Sequence, residues 1–301
     1  MKYELIIVRY GELSLKSKYV RNSFETTLIR NIKEAFLSNN ISCKINREWG
    51  RIYLHTYELS KGLDILKQIF GIISFSPAIK KSSDINQISN HALKVSKKHL
   101  NRNKTFALRV TRTGKHDYTS QDVAIKIGND IVEATKAKVD LKKPDFEIFI
   151  EIRNKNSYVF TEKISGVGGL PLGTQGKVLA VMDTPQSLLA AWYLMRRGCK
   201  IVFVNTNSSN IKMLNTFIDK WYAKSKIIEI NQNQKFYETI NNLASENRCN
   251  AIVTGHGIVT KNSIQDITKL KKHSIFPILH PLISIEDDEI NKKCKEIGIP
   301  I

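Results

Sequence analysis

The sequence predicts a multidomain protein of mixed α/β and α+β class that ends in a doubly wound, Rossmann-like parallel sheet. Three observations predict this architecture. The first part of the chain has the order βαββαβ, a second set of helices and strands begins after Asp84, and apolar strands alternate with helices from residue 177 onwards. In a parallel sheet of this kind, ligands lie at the carboxyl ends of the strands.

The charge of the chain is unevenly distributed. The 301 residues carry a net charge of +19 at pH 7, and residues 1–177 hold 31 Lys+Arg against 17 Asp+Glu, or +14 of that total. A region this basic attracts polyanions, with an affinity that falls steeply as salt is added. We therefore favour a nucleic-acid partner over a lysine-rich surface that is merely solvated.

The four cysteines stand far apart and form no CxxC pair. This spacing argues against a disulfide framework and against a zinc site, and it favours a reducing compartment. The longest apolar run, around residues 70–79, is too short to cross a bilayer, and the N-terminus lacks the pattern of a signal peptide. We expect a cytoplasmic protein with no membrane association and no bound metal.

The first 80 residues predict a ferredoxin-like unit. Strands are expected at 3–9, 44–46, 51–55 and 72–80, with helices at 19–36 and 60–69. The loop between the first strand and the first helix is flanked by basic side chains that are candidate phosphate contacts: Arg9, Lys16, Lys18 and Arg21. A charge cluster at a loop is more often plain solvated surface.

The next unit is predicted to contain helices at 85–100 and 119–136 and strands at 105–111, 146–152 and 157–163. In the helix at 119–136, Asp122 is expected to pair with Lys126, four residues later. Arg109, Arg112 and Lys115 fall in one segment at a strand end, RVTRTGKH, which suits phosphate binding without base readout. Tyr118 is expected to pack rather than to stack on a base.

The last part of the chain begins with a glycine-rich segment, 166–176, which holds five of the fifteen glycines and predicts a tight connection. Strands are then expected at 178–182, 200–204, 226–230, 250–254 and 275–279, although Pro277 interrupts the last. Helices are expected at 187–197, 213–222, 235–247, 263–270 and 285–297. The loops after Met182, Val204 and Thr254 should form the ligand edge of the sheet.

These segments together resemble the tRNA 4-thiouridine synthetase (tRNA sulfurtransferase) family over the whole chain. The resemblance lies in RYGELSLK, RVTRTGKH, the run from KVDLKKPD to LPLGTQGKV, AAWYLMRRG, AIVTGHG and ILHPLISIEDDEI. It implies a ferredoxin-like domain at 1–77, a THUMP RNA-binding domain at 78–165, a linker at 166–176 and a PP-loop (ATP-pyrophosphatase) domain at 177–301. The last would be related to adenine nucleotide alpha hydrolases.

The resemblance also implies an activity. In that family the first two domains bind tRNA, with THUMP at the acceptor end. The third domain adenylates a uridine with ATP and Mg²⁺ before sulfur transfer from a cysteine persulfide. The family resemblance further implies a homodimer.

The chain departs from the family in the adenylating loop, SGGxDS. The matching segment is MDTPQS, in which both glycines and the aspartate are replaced and only the last serine, Ser187, is kept. The family's later motif, TGESLGQ, matches residues 254–260 of this chain. Gly255 is kept, His256 stands in place of the acidic residue, and Thr260 stands in place of the glutamine. We interpret the following residues as a degenerate nucleotide site: Met182, Asp183, Thr184, Gln186, Ser187, Gly255, His256 and, one position out of register, Gln265.

Three functional hypotheses follow. The first is a tRNA-binding protein, involved in tRNA modification, whose PP-loop domain does not adenylate and which has no catalytic residue of its own. The second is an active ATP-dependent tRNA sulfurtransferase that takes sulfur from a partner protein, because the family's sulfur-carrying cysteines have no counterpart here. The third is a nucleotide- or metabolite-sensing module. Only the second requires ATP and Mg²⁺, and we favour the first.

Overall fold

The computed structural model describes residues 3–11, 17–231, 235–257 and 261–300. Its strands are β1 Leu5–Tyr10, β2 Lys44–Glu48, β3 Arg51–His55, β4 Ile72–Ser82, β5 Thr105–Thr113, β6 Lys138–Val139, β7 Phe146–Arg153, β8 Asn156–Phe160, β9 Ile164–Ser165, β10 Lys177–Met182, β11 Lys200–Asn205, β12 Lys226–Glu229, β13 Ala251–Val253 and β14 Ile278–Leu279. Its helices are α1 Lys18–Ser38, α2 Leu59–Leu66, α3 Ile85–His99, α4 Ser120–Thr135, α5 Gln186–Arg196, α6 Ile211–Lys220, α7 Phe236–Glu246, α8 Lys261–His273 and α9 Asp287–Ile297.

The chain divides into two compact units that do not follow the sequence order. The first unit comprises Met1–Arg9, Ile41–Leu63 and Ser74–Ser165. The second comprises Tyr10–Asn40, Asp64–Ile73 and Gly166–Ile301, so helix α1 is grouped with the C-terminal part of the chain.

The larger sheet has the strand order β2-β3-β1-β4-β8-β7-β5-β6, and β9 pairs with β4. Its first four strands have the arrangement of a ferredoxin-like sheet, as predicted. Strand β4 continues the sheet into the next set of strands, because its second half pairs antiparallel with β8. The predicted boundary between residues 77 and 78 falls inside this strand, and the domain limits stay a prediction.

The smaller sheet has the strand order β12-β11-β10-β13-β14, and all its pairings are parallel. Successive residues of β10 point to opposite faces: Val178 and Ala180 pack into one core, Leu179 and Val181 into another. Helix α5 contributes to the first core and α7 to the second. The prediction of a doubly wound parallel sheet is therefore confirmed, with β10 at its centre.

The glycine-rich segment is tight for a steric reason. A Cβ on Gly169, whose φ is +75°, would lie 2.1 Å from the carbonyl oxygen of Arg196 at the end of α5. A Cβ on Gly166 would meet the Ile72 carbonyl at 2.3 Å. The expectation that only glycine fits this connection is confirmed at both positions.

Two local predictions were wrong. Asp122 does not pair with Lys126: its carboxylate accepts from the Thr119 backbone N–H in a capping box at the start of α4, and Lys126 instead lies 3.4 Å from Asp130. The last strand is only Ile278–Leu279, because Pro277 has no N–H for the ladder and contributes its carbonyl to Ile252 N–H instead.

Candidate functional site

The loop between β10 and α5 lies at the centre of the carboxyl edge of the smaller sheet. Asp183 and Thr184 are exposed, Pro185 and Gln186 are partly buried, and Ser187 is fully buried. The neighbouring loop after β13 begins at Thr254, and β10 and β13 pair directly. The structure thus brings most of the residues of the predicted nucleotide site together at the point where the strand order reverses.

The carboxylate of Asp183 folds back onto the start of α5. Its Oδ1 accepts a hydrogen bond from Ser187 Oγ at 2.5 Å and another from the Thr184 backbone N–H at 2.9 Å. The partial positive charge of a helix N-terminus favours an anion at this position. Asp183 supplies that anion from within the chain.

Several backbone N–H groups of the loop already have acceptors within it. The Ser187 N–H bonds to the Thr184 carbonyl and the Leu188 N–H to the Pro185 carbonyl, both at 3.1 Å, while Pro185 has no N–H. A phosphate approaching this loop would meet the Asp183 carboxylate and few donors. The residues present do not fit the pyrophosphate of ATP, and no chemical step is derived through that group.

Gly255 packs directly against the start of α5. A Cβ at this position would lie 2.7 Å from both Cα and N of Ser187 and 2.4 Å from its Oγ. The two loops are therefore in contact through backbone, which leaves no space between them for a side chain or a ligand at this point.

Replacing Gly255 by alanine is expected to destabilise the protein by about 1–3 kcal/mol, because backbone atoms must shift to admit the methyl group. Gly257→Ala is the matched control, since its nearest neighbours would be at 3.4 and 3.7 Å, an ordinary contact. Denaturant unfolding of both variants checks this. Equal losses of stability would contradict the packing described here.

His256 is linked to a second histidine through a threonine. Thr254 Oγ1, which is buried, lies 2.8 Å from His256 Nδ1 and 2.7 Å from His280 Nδ1. Burial, with the nearby His256, lowers the pKa of His280. A threonine hydroxyl can donate to one ring and accept from the other, so this chain orders the ends of β13 and β14.

One polar group at this edge has no partner in the described part of the chain. Asn205, at the end of β11, is buried, and its Nδ2 has no hydrogen-bond acceptor there. Gln265 lies on α8, where its side chain is exposed. Thr260 lies outside the described residues, so the structure does not place the counterpart of the family's glutamine.

The basic residues near the first loop differ in their surroundings. Lys18 is exposed at the start of α1, while Arg21 is 18% exposed and lies 4.0 Å from Glu25. Lys16 lies outside the described residues. Arg9 is turned inward: its guanidinium donates to Ser76 Oγ at 2.9 Å, lies 3.5 Å from Glu151 and is 11% exposed. This leaves little of Arg9 for a phosphate.

The segment after β5 carries the other predicted contacts. Arg109 pairs with Glu147 at 2.8 Å and also donates to the Leu141 carbonyl. Arg112 donates to the Gly114 carbonyl at 3.0 Å and lies 3.2 Å from His116 Nδ1, which holds it at the strand end. Lys115 is exposed beside it.

Tyr118 packs, as expected. Its hydroxyl donates to the Ser83 carbonyl, its ring stacks on His116 with centroids 5.2 Å apart, and burial raises its pKa.

Sequence reasoning missed how the nucleotide-site residues bond with one another. The bonds that Asp183 accepts from the Thr184 N–H and the Ser187 hydroxyl are local, so the short spacing of these residues was a readable sign of them. The hydrogen-bonded chain His256–Thr254–His280 joins the residues that follow β13 and β14. Because His280 is distant in sequence from the other two, no local pattern indicated this chain.

Among the described helices, none is both long enough and apolar enough to cross a bilayer. Within the described ranges, no group of three or more His, Cys, Asp or Glu side chains is placed to hold a metal ion.

Three family models match the chain in order. They are the ThiI ferredoxin-like domain over residues 5–76, the THUMP domain over 82–162, and the thiamine biosynthesis protein (ThiI) model over 212–300. The last match begins after β10, α5 and β11, so the loop discussed above lies outside it.

Curated relatives match almost the whole chain. A probable tRNA sulfurtransferase of Methanothermobacter thermautotrophicus is 33% identical, covering 99% of this chain and 85% of the relative. That of Methanocaldococcus jannaschii is also 33% identical, covering 97% and 87%.

Two solved structures agree with these matches. PH1313 from Pyrococcus horikoshii superposes with a TM-score of 0.85 at 28% identity, covering 98% of this chain and 99% of that one. A 4-thiouridine synthetase solved as an RNA complex with bound ATP superposes with a TM-score of 0.83 at 25% identity, covering 99% and 86%. The domain models, the relatives and the shared fold agree, and the chain belongs to the tRNA sulfurtransferase family.

Proposed function

We propose that this protein binds tRNA in the context of tRNA thiolation and that its PP-loop domain does not adenylate. The observation that carries the proposal is the Asp183 carboxylate bound at the N-terminus of α5, where the family's loop would hold a pyrophosphate. In this proposal the chain recruits tRNA, and a partner protein supplies the sulfur or the modification chemistry.

The tRNA half of the proposal is supported by charge and by relationship. The matched structure of a 4-thiouridine synthetase contains RNA, and it superposes over 99% of this chain. Basic side chains that are exposed or partly exposed here are suited to phosphate contacts, which give affinity without sequence readout. We assign this role to Lys18, Arg21, Arg109, Arg112 and Lys115, and to Lys16 from the sequence alone. Arg9 is left out because it is turned inward.

The second candidate function is a site that binds a nucleotide or metabolite without adenylating tRNA. Asn205 favours it, because its buried Nδ2 has no acceptor among the described residues and is a donor that a ligand can satisfy, whereas its Oδ1 already accepts from the Asn207 N–H. The remaining candidate, an active sulfurtransferase, requires the Asp183 carboxylate to leave the N-terminus of α5 so that the phosphates of ATP can bind there. These candidates differ in what they bind: only the proposed function and the enzyme require tRNA.

The experiment is a pair of equilibrium measurements on the full chain. Filter binding with tRNA between about 50 and 200 mM salt should show an affinity that falls steeply with salt, as phosphate contacts require. Equilibrium dialysis with MgATP, with and without tRNA, should show no saturable ATP binding. ATP binding without tRNA binding would instead favour the sensing function.

Arg112→Ala is expected to weaken binding to all tRNAs alike and to lower the salt slope by about one unit, because one phosphate contact is lost. Lys292→Ala, an exposed lysine on α9, is the control and should leave the slope unchanged. An unchanged slope for Arg112→Ala would remove this residue from the proposed surface.

A further inference from the structure

A basic groove lies at the amino edge of the smaller sheet, the edge opposite the nucleotide loop. It has a volume of about 440 Å³, and its charged lining residues are Arg30, Glu34, Lys177, Lys200, Lys224 and Lys226. Ligands of doubly wound sheets bind at the carboxyl edge, so the fold itself does not require a cluster of cations here.

Three of these lysines begin three neighbouring strands. Lys177 is the first residue of β10, Lys200 of β11 and Lys226 of β12, and Lys177 lies directly opposite Lys200 in the parallel register. Adjacent strands are about 4.8 Å apart, so the three strands span roughly 10 Å across the sheet. Lys226 lies opposite Val202, two residues beyond Lys200, so the three positive charges form a staggered cluster at this edge.

The charges are not balanced within the groove. Glu34 is the one carboxylate among its charged lining residues, and it pairs with Lys224 at 3.2 Å. Lys177 and Lys226 both donate to Asn247, to its backbone carbonyl at 2.8 Å and its side-chain oxygen at 3.2 Å, and both acceptors are neutral. In the described part of the chain, Arg30, Lys177, Lys200 and Lys226 form no ion pair.

The turn that carries Lys224 is strained. Tyr222 and Lys224 have φ values of +50° and +45°, and neither is glycine. Residues other than glycine keep such conformations only where the surrounding structure holds them there. Here the strained turn, between α6 and β12, places Lys224 and Tyr222 on the wall of the groove.

The groove continues into a second cavity. An adjoining space of about 570 Å³ shares Glu34, Tyr222 and Lys224 with it and is also lined by Asp219 and Lys220, so the excess positive charge lies in the first groove. Together the two spaces form an open, extended surface. Extended basic grooves of this kind track a nucleic-acid backbone, whereas a compact anion is held by donors that converge on one point.

We propose that this groove binds the phosphates of RNA, as a contact surface additional to the residues predicted from the sequence. The inference rests on the proposed tRNA binding. Lys200, Lys226 and Arg30 are exposed, so they are the side chains that reach the phosphates, while Lys177 shapes the wall through Asn247.

The test compares two triple variants of the full chain with the same change in charge. Arg30→Gln/Lys200→Gln/Lys226→Gln removes the exposed cations of the groove. Lys271→Gln/Lys272→Gln/Lys292→Gln removes three exposed lysines of α8 and α9. The groove variant should lower the salt slope of tRNA binding by about 2 to 3 units and weaken binding at 0.1 M salt by tenfold or more, because each phosphate contact contributes 0.7 to 0.9 to the slope.

A second readout does not depend on substitution. Bound tRNA should protect Lys200 and Lys226 of the unchanged protein from an amine-acylating reagent, as measured by mass spectrometry, and leave Lys271 and Lys272 reactive. Equal slopes for the two triple variants, or no protection at Lys200 and Lys226, would overturn the inference. Tripolyphosphate that stabilises the unchanged protein but not the groove variant, with an unaltered tRNA slope, would also overturn it in favour of a small-anion site. Absence of tRNA binding by the unchanged protein would instead refute the proposed function.

Discussion

Replacing Glu151 by glutamine is expected to lower the free energy of unfolding by about 3–5 kcal/mol, since it leaves the buried Arg9 without its counter-charge and Arg153 with only Glu48 at 4.0 Å. Three guanidinium groups surround this one carboxylate: Arg51 at 2.7 Å, Arg153 at 3.3 Å and Arg9 at 3.5 Å. Glu151 is 6% exposed. Burial lowers the pKa of Arg9, and Glu151 offsets part of that effect.

The matched control is Glu147→Gln. Glu147 lies on the same strand, β7, and also accepts from an arginine Nε, that of Arg109, at 2.8 Å, but the two side chains are 36% and 40% exposed. An exposed pair of this kind contributes about 0–1 kcal/mol. Urea unfolding of both variants measures the difference. A loss below about 1 kcal/mol for Glu151→Gln would show that the buried cluster is not a structural centre of the larger sheet.

Replacing Asp183 by alanine is expected to have two opposite effects. In dilute buffer it should destabilise the protein by about 1–2 kcal/mol, because the Thr184 N–H and the Ser187 hydroxyl lose their acceptor. In pyrophosphate it should recover stability, since the N-terminus of α5 is then open to an anion from solution. Thermal unfolding with and without about 10 mM pyrophosphate measures both effects, and stabilisation grows with the ratio of ligand to its Kd.

Asp183→Asn tests the negative charge of Asp183 separately from the two hydrogen bonds that its side chain accepts. The amide oxygen can still accept from both donors, so this variant keeps the loop closed while it removes the negative charge. We expect it to lose less stability than Asp183→Ala and to respond less to pyrophosphate. If the stability of Asp183→Ala responds to pyrophosphate no more than that of the unchanged protein, the Asp183 carboxylate does not occupy an anion-binding position at the start of α5.

Much of the fold follows from local sequence. Apolar runs such as KVLAVM and KIVFV gave the strands of the smaller sheet, and their alternation with helices gave its parallel order. The short strands β6 and β9 escaped prediction, because two residues carry no periodicity and both strands exist only through pairing with distant partners. The last strand, predicted at 275–279, forms only at Ile278–Leu279; Pro277 was recognised as an interruption, but the shortening was not predicted.

The candidate sites were less predictable than the fold. Arg9 has the sequence context of a phosphate contact, but its partner Glu151 lies on a strand far along the chain, and only tertiary structure turns the side chain inward. The lysines of the basic groove are scattered in sequence. Lys177, Lys200 and Lys226 each begin a strand, and they come together only because β10, β11 and β12 are neighbours in the sheet.

The measurement that tests the central claim most directly is ATP–pyrophosphate exchange by the full chain in the presence of tRNA and Mg²⁺. A tRNA sulfurtransferase with an intact SGGxDS loop serves as the positive control. Because the start of α5 is held by the Asp183 carboxylate, exchange should stay at the level of a protein-free blank, even at tRNA concentrations that saturate binding. Exchange that depends on tRNA and approaches the rate of the control would contradict the proposal and assign adenylation to this chain.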